Sequence, residues 1–272
     1  MIDDNKRFYF IAGLHRSGST LLSAILNQNP RFHSDPISPV LGLMTNMEAT
    51  LQKCEFYESH PKPQQAHALL SSVIHHYYSD INKPVIFDKN RIWPRRINYI
   101  EGYIKQNAKI ICPIRSVDEI LVSFLKLIHK NDNNILFNPI DKQVITNDLP
   151  LNDHNRCRVM LDPKGNIMCS IDAMKFALNN NLSDRLLFVE YYDLVLSPQK
   201  TFKRIYDFLG EDYYQHQFEY IHSKNEVKDQ ECFNLKGLHE VRTKLEITSD
   251  NPKNYLDEDI LHECSQLNFW RK

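Results

Sequence analysis

Small and hydroxyl-bearing residues cluster in one stretch near the start of the chain, "FYFIAGLHRSGSTLLSAILN" (residues 8–27). An apolar run leads into a short polar loop and then into an amphipathic segment. The loop has Gly13 and Gly18 followed by Ser19 and Thr20, the spacing of the phosphate-binding loop G-x-x-x-x-G-K-[ST] with serine in place of lysine. Glycines let the backbone approach a phosphate, and a helix beginning there presents free N–H groups. The sequence therefore predicts an anion site without the lysine that would reach a γ-phosphate.

A second candidate anion site lies in "KIICPIRSVDEILVSFLKLIHK" (residues 109–130). Arg115 follows an apolar run, at the position where the carboxyl edge of an open α/β sheet binds ligands. Ser116 and Glu119 match the capping box S-x-x-E, which predicts the start of a helix. Ser123 lies two turns into that helix, so Arg115 and Ser123 could hold one anion with a charge and a hydroxyl. The two sites together predict a ligand that carries two separated phosphates.

The elements that must position these residues are short apolar runs separated by amphipathic segments. The predicted strands are Phe8–Ala12, Val85–Asp88, Lys109–Ile114 and Leu186–Glu190. Predicted helices have apolar faces within residues 21–26, 120–128 and 202–209. Apolar strands with little alternation are typical of parallel strands covered on both faces. The pattern predicts an α/β fold, P-loop-like, with three layers (α/β/α) and a central parallel sheet.

Composition sets the limits on function class. The chain has 272 residues, 42% apolar and 25% charged, which fits one sizeable globular domain over residues 1–272. The net charge of −1 argues against a nucleic-acid partner, so any anion site must be local. The six cysteines form no C-x-x-C pair, and no apolar run is long enough to span a membrane. Because the first residues lack the pattern of a signal peptide, we expect a cytoplasmic protein; its oligomeric state stays open.

Two segments, "GLHRSGSTLLSAILNQNP" and "KIICPIRSVDEILVSFLKL", together resemble the sulfotransferase superfamily, in the branch of tyrosylprotein and bacterial sulfotransferases. These enzymes take a sulfuryl group from 3′-phosphoadenosine 5′-phosphosulfate (PAPS). The resemblance implies that the 5′-phosphosulfate is bound by Arg16, Ser17, Gly18, Ser19 and Thr20. It also implies that Arg115 and Ser123 bind the 3′-phosphate. The missing lysine is then expected, since the donor has no γ-phosphate and the reaction requires no metal.

Three further segments extend the resemblance. "FDKNRIWPRRINYI" is similar to the segment that places a lysine beside the transferred sulfur, which implies a catalytic role for Lys89, with Arg16 assisting at the 5′ side. "LLFVEYYDLVLSPQKTFKRIYDFLG" implies that Tyr191 lies against the adenine. "NLKGLHEVRTKL" (residues 234–245, the late loop) resembles a loop that closes over the cofactor, and implies cofactor contacts by Lys236, Gly237, His239 and Arg242.

The implied reaction is in-line transfer of SO₃ to a hydroxyl or amine, which leaves adenosine 3′,5′-bisphosphate. A lysine near the leaving oxygen would stabilise the transition state more than the ground state. The acceptor also needs a general base, and the related branch has a glutamate shortly after its first helix. This sequence has no glutamate before Glu48. Asp35 is therefore the candidate base and His33 the alternative, although Asp-Pro is also a common turn element.

The acceptor class stays open, because carbohydrate, tyrosyl, lipid and small-molecule acceptors all occur on this fold. Residues 130–165 are polar, broken by prolines and long for a connection, so we interpret them as a substrate-facing insertion or a mobile lid. Residues 33–80 would complete the acceptor pocket. One alternative function is a magnesium-dependent nucleoside or small-molecule kinase, with Asp88 as its acidic residue although Lys89 would compete with the metal. Another is a non-catalytic nucleotide-binding protein on the same fold.

Overall fold

Five parallel strands form the central sheet in the computed structural model, which describes residues 6–132, 136–222 and 227–271. They are β1 (Arg7–Ile11), β2 (Phe32–Ser34), β3 (Val85–Lys89), β4 (Ile110–Ile114) and β5 (Leu186–Glu190). Their order across the sheet is β2-β3-β1-β4-β5, with every neighbouring pair parallel. The carboxyl ends of β3, β1 and β4 therefore lie side by side at one edge, where open α/β sheets bind ligands.

Helices cover both faces of the sheet. Their bounds are α1 (Ser19–Leu26), α2 (Val40–Gln52), α3 (Glu55–Ser59), α4 (Pro63–Tyr77), α5 (Ile97–Tyr99), α6 (Val117–Lys130), α7 (Pro139–Thr146), α8 (Asp153–Leu161), α9 (Asn166–Asn179), α10 (Tyr191–Leu196), α11 (Pro198–Leu209), α12 (Asp229–Phe233) and α13 (Glu258–Leu267). Helices α1 and α11 pack in one apolar core, and α2, α4, α6, α8, α9 and α13 pack in another. Successive β1 residues alternate between these cores, with Phe10 in one and Ile11 in the other. The predicted three-layer α/β/α architecture is confirmed.

The predicted elements differ from the observed ones in two instructive places. Strand β2 was not predicted, because its three residues are too few to show a pattern. The capping box at the start of α6 was also wrong: Ser116 precedes the helix but makes no side-chain cap. Instead the Val117 N–H donates to Asn268 Oδ1 at 3.1 Å, and Glu119 turns to Arg115. A residue far along the chain thus replaces the local cap.

Helices α7 and α8 lie in the segment predicted as an insertion, of which residues 133–135 are outside the described residues. Asn138 caps α7 by accepting hydrogen bonds from the backbone N–H groups of Ile140 and Asp141. Arg156 of α8 donates from Nε to Asp141 Oδ1 at 2.8 Å, and both side chains are largely buried. This ion pair holds α7 against α8. No described helix has the length and apolar character needed to cross a membrane.

Candidate active site

The loop after β1 is shaped by two glycines. Gly13 has φ +76°, and a Cβ there would lie 2.2 Å from the Pro113 carbonyl oxygen of β4. Gly18 has φ +87° and precedes the first residue of α1. The buried Ser17 hydroxyl donates to the Leu14 and Pro113 carbonyl oxygens, at 2.6 and 2.9 Å. The loop is therefore pressed against β4, and residues other than glycine would be strained at both positions.

Two cations, one at the end of β3 and one just after it, line a cavity at the carboxyl edge of the sheet. Lys89, the last residue of β3, is only 5% exposed, and its Nζ donates to Thr20 Oγ1 at 3.4 Å. Arg91 donates from Nη1 to the Leu14 carbonyl oxygen at 2.9 Å. Neither cation forms an ion pair with any described residue. Both charges are thus held at the cavity without a carboxylate to neutralise them.

Arg16 joins the loop after β1 to two other elements. Its φ of 53° turns the chain sharply ahead of α1. Its Nε donates to Ser123 Oγ of α6 at 3.1 Å, and its Nη1 donates to the Leu238 carbonyl oxygen of the late loop at 2.5 Å. The guanidinium therefore lies among the phosphate-binding loop, α6 and the late loop.

The electrostatics of these cations favour an anionic ligand. Burial lowers the pKa of Lys89 well below its usual value, and the nearby Arg91 charge lowers it further. Burial also lowers the pKa of Arg16 to about 10, with Arg115 and Arg242 adding to the effect. The pKa of Arg91 is lowered to about 10, first by burial and then by Arg16. A bound anion would relieve this mutual repulsion and favour the charged forms.

Arg115, which follows β4, is fixed from several sides and is 3% exposed. Its Nε donates to Glu119 Oε2 at 2.9 Å, and its Nη2 donates to Ser249 Oγ at 2.6 Å. Its Nη1 donates to the Arg16 carbonyl oxygen at 3.2 Å. The guanidinium also lies over the Tyr191 ring, 4.4 Å from its centre. These contacts hold the planar guanidinium in one orientation at the cavity wall.

Most of the residues predicted from the sequence share one cavity of about 620 Å³, within the usual range of ligand pockets. Those that line it are Arg16, Gly18, Ser19, Thr20, Lys89, Arg115, Ser123, Tyr191, His239 and Arg242. Of the other predicted residues, Ser17 is buried and contacts the loop backbone at Leu14 and β4 at Pro113. Lys236 is held through its backbone, with its N–H donating to Asn131 Oδ1 at 2.9 Å. Ser17, Lys236 and Gly237 are not among the residues that line the cavity in the described parts of the chain.

The two predicted bases lie beside the cavity and contact each other. His33 Nε2 and Asp35 Oδ2 are 3.0 Å apart, and both side chains are partly exposed. The next residues along, Pro36 and Ile37, line the cavity, but His33 and Asp35 are not among its described lining residues. Their role as the base stays a prediction.

Asp88, the acidic residue of the kinase alternative, is engaged elsewhere. It is fully buried, and it accepts hydrogen bonds from Trp93 Nε1 at 2.7 Å, from the Tyr78 hydroxyl at 2.9 Å and from the Ser38 hydroxyl. Burial raises the pKa of Asp88 to about 6. Neighbouring strand residues point to opposite faces, so Lys89 reaches the cavity and Asp88 does not line it. The carboxylate therefore anchors the core around Trp93.

Two features of the site were not predicted from the sequence: the place of His15 at the cavity and the contact between His239 and Asp229. His15 lines the cavity, and the His15 Nδ1 is buried without a hydrogen-bond partner in the described ranges. Burial lowers the pKa of His15 well below its usual value, and Arg91 and Lys89 lower it further. Asp229 pairs with His239, with 2.6 Å between Oδ1 and Nδ1. The position of His15 inside the loop motif could have indicated it, whereas the Asp229–His239 contact is seen only in the folded chain.

A second set of lining residues is apolar. They come from the segments after β2 and β3, from α6 and α7, and from the late loop. We call them the apolar wall: Ile37, Ile92, Phe124, Ile140 and Leu235. The cationic and hydroxyl-bearing set is called the phosphate wall: Arg16, Ser19, Thr20, Arg115 and Ser123. The cavity can thus accept an anionic molecule and an apolar one together.

Comparisons with solved structures agree with this fold. The chain is similar to the sulfotransferase domain of the Synechococcus PCC 7002 olefin synthase (17% identity, TM-score 0.54, covering 97% of this chain and 95% of that one). It is similar to the sulfotransferase domain from the curacin biosynthetic pathway (18%, TM-score 0.55, covering 97% and 98%). It is also similar to mouse sulfotransferase SULT7A1 complexed with PAP (15%, TM-score 0.52, covering 97% and 82%). At such identities these similarities establish the fold alone.

The family is established by the sequence. Comparison with curated proteins finds no significant match. The sequence profile of the sulfotransferase family, in contrast, matches residues 9–216, from β1 past the end of α11 and so across the whole sheet. Since this match spans well over half of the chain, the protein belongs to the sulfotransferase family.

Proposed function

We propose that the protein transfers a sulfuryl group from PAPS to a hydroxyl or amine of an acceptor molecule. The observation that carries the proposal is the meeting of three strand ends at one cavity. The loop of residues 13–20 follows the middle strand β1, with Lys89 at the end of β3 on one side of it and Arg115 after β4 on the other. Phosphate-binding groups and a buried lysine therefore share one space.

The hydrogen-bond donors at the cavity support a ligand with two phosphates. Arg16 and Ser123 are joined by a hydrogen bond, and Arg115 donates to the Arg16 backbone, so these groups form one continuous surface. Ser19 and Thr20 add hydroxyl donors at the start of α1. Tyr191 lines the cavity with an aromatic ring suited to contact with adenine. The residues present thus fit PAPS, which would supply the sulfuryl group bonded to a phosphate oxygen.

In this assignment the chain's own residues stabilise the charge that develops in the reaction. Lys89, kept in its ammonium form by the bound anion, would donate to the bridging oxygen as negative charge grows there. Arg16 would hold the 5′-phosphate. The apolar wall would limit the access of water, which strengthens these interactions.

The alternatives are less well supported. A magnesium-dependent kinase needs a carboxylate at the metal, yet Asp88 already accepts hydrogen bonds from three side chains and does not line the cavity. A non-catalytic binding protein would have little use for Lys89, because a buried cation without an ion pair lowers the stability of the fold. The transferase assignment gives Lys89 a role in the reaction.

The experiment that tests the proposal is a pair of calorimetric titrations. Adenosine 3′,5′-bisphosphate is titrated in the presence of a metal chelator, and ATP is titrated with magnesium. We expect tight metal-free binding of the bisphosphate and weaker binding of adenosine 5′-monophosphate, which lacks the 3′-phosphate. Release of the bisphosphate from PAPS would then be followed with a panel of alcohols, phenols and amines. Preferential binding of ATP with magnesium would overturn the proposal.

A further inference from the structure

Asp229 holds the His239 imidazole in a defined orientation. The Asp229 side chain, at the start of α12, is largely buried, and its Oδ1 lies 2.6 Å from His239 Nδ1. Its Oδ2 accepts a hydrogen bond from the His239 backbone N–H at 2.7 Å. An ionised carboxylate can only accept, so Nδ1 must carry the hydrogen at this contact. In the neutral ring, Nε2 is then left with its lone pair free.

The free nitrogen belongs to a side chain at the cavity. His239 lines the same cavity as Lys89, and its side chain is 11% exposed. In the described part of the chain, no hydrogen bond to Nε2 is present. Arg16 donates to the carbonyl oxygen of the preceding Leu238, and the Phe233 ring packs 5.8 Å from the imidazole. The hydrogen bond from Arg16 to the Leu238 carbonyl oxygen therefore links the segment that carries His239 to the phosphate-binding loop.

Burial favours the neutral form of the His239 imidazole. Burial lowers the pKa of His239, and the charges of Lys89 and Arg91 lower it further, whereas Asp229 raises it. The charged and titratable groups facing the ring from the packed elements are Asp229 from α12, Lys89 and Arg91 from β3 and the residues after it, and His15 and Arg16 from the loop after β1. An unprotonated imidazole near neutral pH is the state that a general base requires.

Building on the proposed function, we infer that His239, oriented by Asp229, is the general base that activates the acceptor. His239 Nε2 takes the hydroxyl proton while the acceptor oxygen bonds to sulfur and the bond from sulfur to the phosphate oxygen breaks. The products are the sulfate ester, adenosine 3′,5′-bisphosphate and an imidazolium, which the Asp229 carboxylate stabilises until the proton passes to solvent. Asp229 acts through His239 and is a positioning residue. This assignment replaces Asp35 and His33 with a histidine that lines the cavity.

The first test needs no turnover. In ¹⁵N-labelled protein, long-range proton–nitrogen spectra report which imidazole nitrogen carries hydrogen, and the His239 signals are identified by their loss in His239→Gln. We expect a neutral ring with hydrogen on Nδ1 near neutral pH. Hydrogen on Nε2, in either the neutral or the charged ring, would overturn the inference. Asp229→Asn should shift the titration of His239 to lower pH, because a charge that favours the imidazolium is removed.

The second test measures release of adenosine 3′,5′-bisphosphate from PAPS, with water and with benzyl alcohol as acceptors. His239→Gln should lower the rate by about 10²-fold or more, the usual share of general base catalysis, and should remove the fall in rate at acid pH. Asp229→Asn should move that fall to lower pH. If His239 acts as the base and not as the cofactor contact that the resemblance implies, binding of the bisphosphate should change little in either variant. Equal rates in wild type and His239→Gln would contradict the inference.

A matched control shows whether the effect of His239→Gln is specific to that position. His262→Gln changes an exposed histidine of α13 and should leave both the rate and its pH profile unchanged. Failure of the wild-type protein to bind the bisphosphate would overturn the proposed function itself. Normal bisphosphate binding with the wrong His239 tautomer would overturn the base assignment alone.

Discussion

The phosphate wall and the apolar wall line the same cavity but are built from different kinds of structure. The phosphate wall comes from the ends of two neighbouring strands, the first turn of α1 and the second turn of α6. Ile37, Ile140 and Leu235 of the apolar wall lie instead in segments that follow the short strand β2, begin α7 or follow α12. The phosphate wall depends on the central sheet, whereas these three residues of the apolar wall lie on connections that can vary without altering the sheet. Under the proposed function, changes at these three positions could alter acceptor choice while donor binding is kept.

The largest effect is expected at Lys89, which lines the cavity and which we propose as the donor to the leaving oxygen. Lys89→Ala should lower sulfuryl transfer by about 10²- to 10³-fold, because one preorganised donor to the leaving oxygen is lost. Affinity for adenosine 3′,5′-bisphosphate should stay within a few-fold of wild type. Calorimetry and a PAPS turnover assay measure the two quantities on the same protein samples. Equal losses of affinity and rate would identify Lys89 as a binding residue.

The lowered pKa of Lys89 predicts that protons are taken up when the bisphosphate binds. Burial favours the neutral amine in the free protein, and a bound anion favours the ammonium. Bisphosphate binding should therefore take up a proton at pH values between the free and bound pKa values of Lys89. Titrations in buffers with different ionisation enthalpies measure this uptake, which should fall in Lys89→Ala. The residual uptake would report on His15, whose pKa is also lowered.

Substitutions of Arg115 test whether the phosphate wall needs a fixed guanidinium or only a positive charge. Arg115→Ala should weaken bisphosphate binding by about 10²-fold, within the range for loss of one partner in a buried charge pair. Arg115→Lys is the matched variant: it keeps the charge but loses the planar fork and the contact with Tyr191. We expect Arg115→Lys to recover only part of the affinity in a calorimetric titration. Full recovery would mean that charge alone matters at this position.

Local patterns predicted the phosphate wall because each of its parts is contiguous in sequence. The loop before α1 and the Arg115–Ser123 segment each span one strand–helix junction, so spacing alone revealed their residues. The contact between Asp229 and His239 could not be predicted, since the two residues lie ten positions apart in a segment without periodicity and meet only in the folded chain. The capping box failed for a related reason: Arg115 competes with the helix end for Glu119, and distant Asn268 supplies the cap.

Ser123 should give a smaller and more selective effect than Arg115. Ser123→Ala removes one hydroxyl from α6, and a hydrogen bond to a charged phosphate contributes about 1.5 kcal/mol, or roughly tenfold in affinity. The loss should appear for adenosine 3′,5′-bisphosphate but not for adenosine 5′-monophosphate. The variant also frees Arg16 Nε, which donates to Ser123 Oγ in the free protein. An equal loss for both nucleotides would point to a disturbed Arg16 and not to a lost contact with the 3′-phosphate.

The smallest effect is expected on the apolar wall, at Ile140 in the first turn of α7. Ile140→Val removes one methylene from a residue that lines the cavity, worth about 0.8 kcal/mol or roughly fourfold in KM for an apolar acceptor. Bisphosphate affinity should not change. Ile145→Val is the matched control, because Ile145 is 42% exposed on the same helix. Steady-state kinetics with alcohols of increasing chain length give the measurement. If both variants alter bisphosphate affinity and leave KM for the acceptor unchanged, then α7 contributes to donor binding and the division between the two walls does not hold.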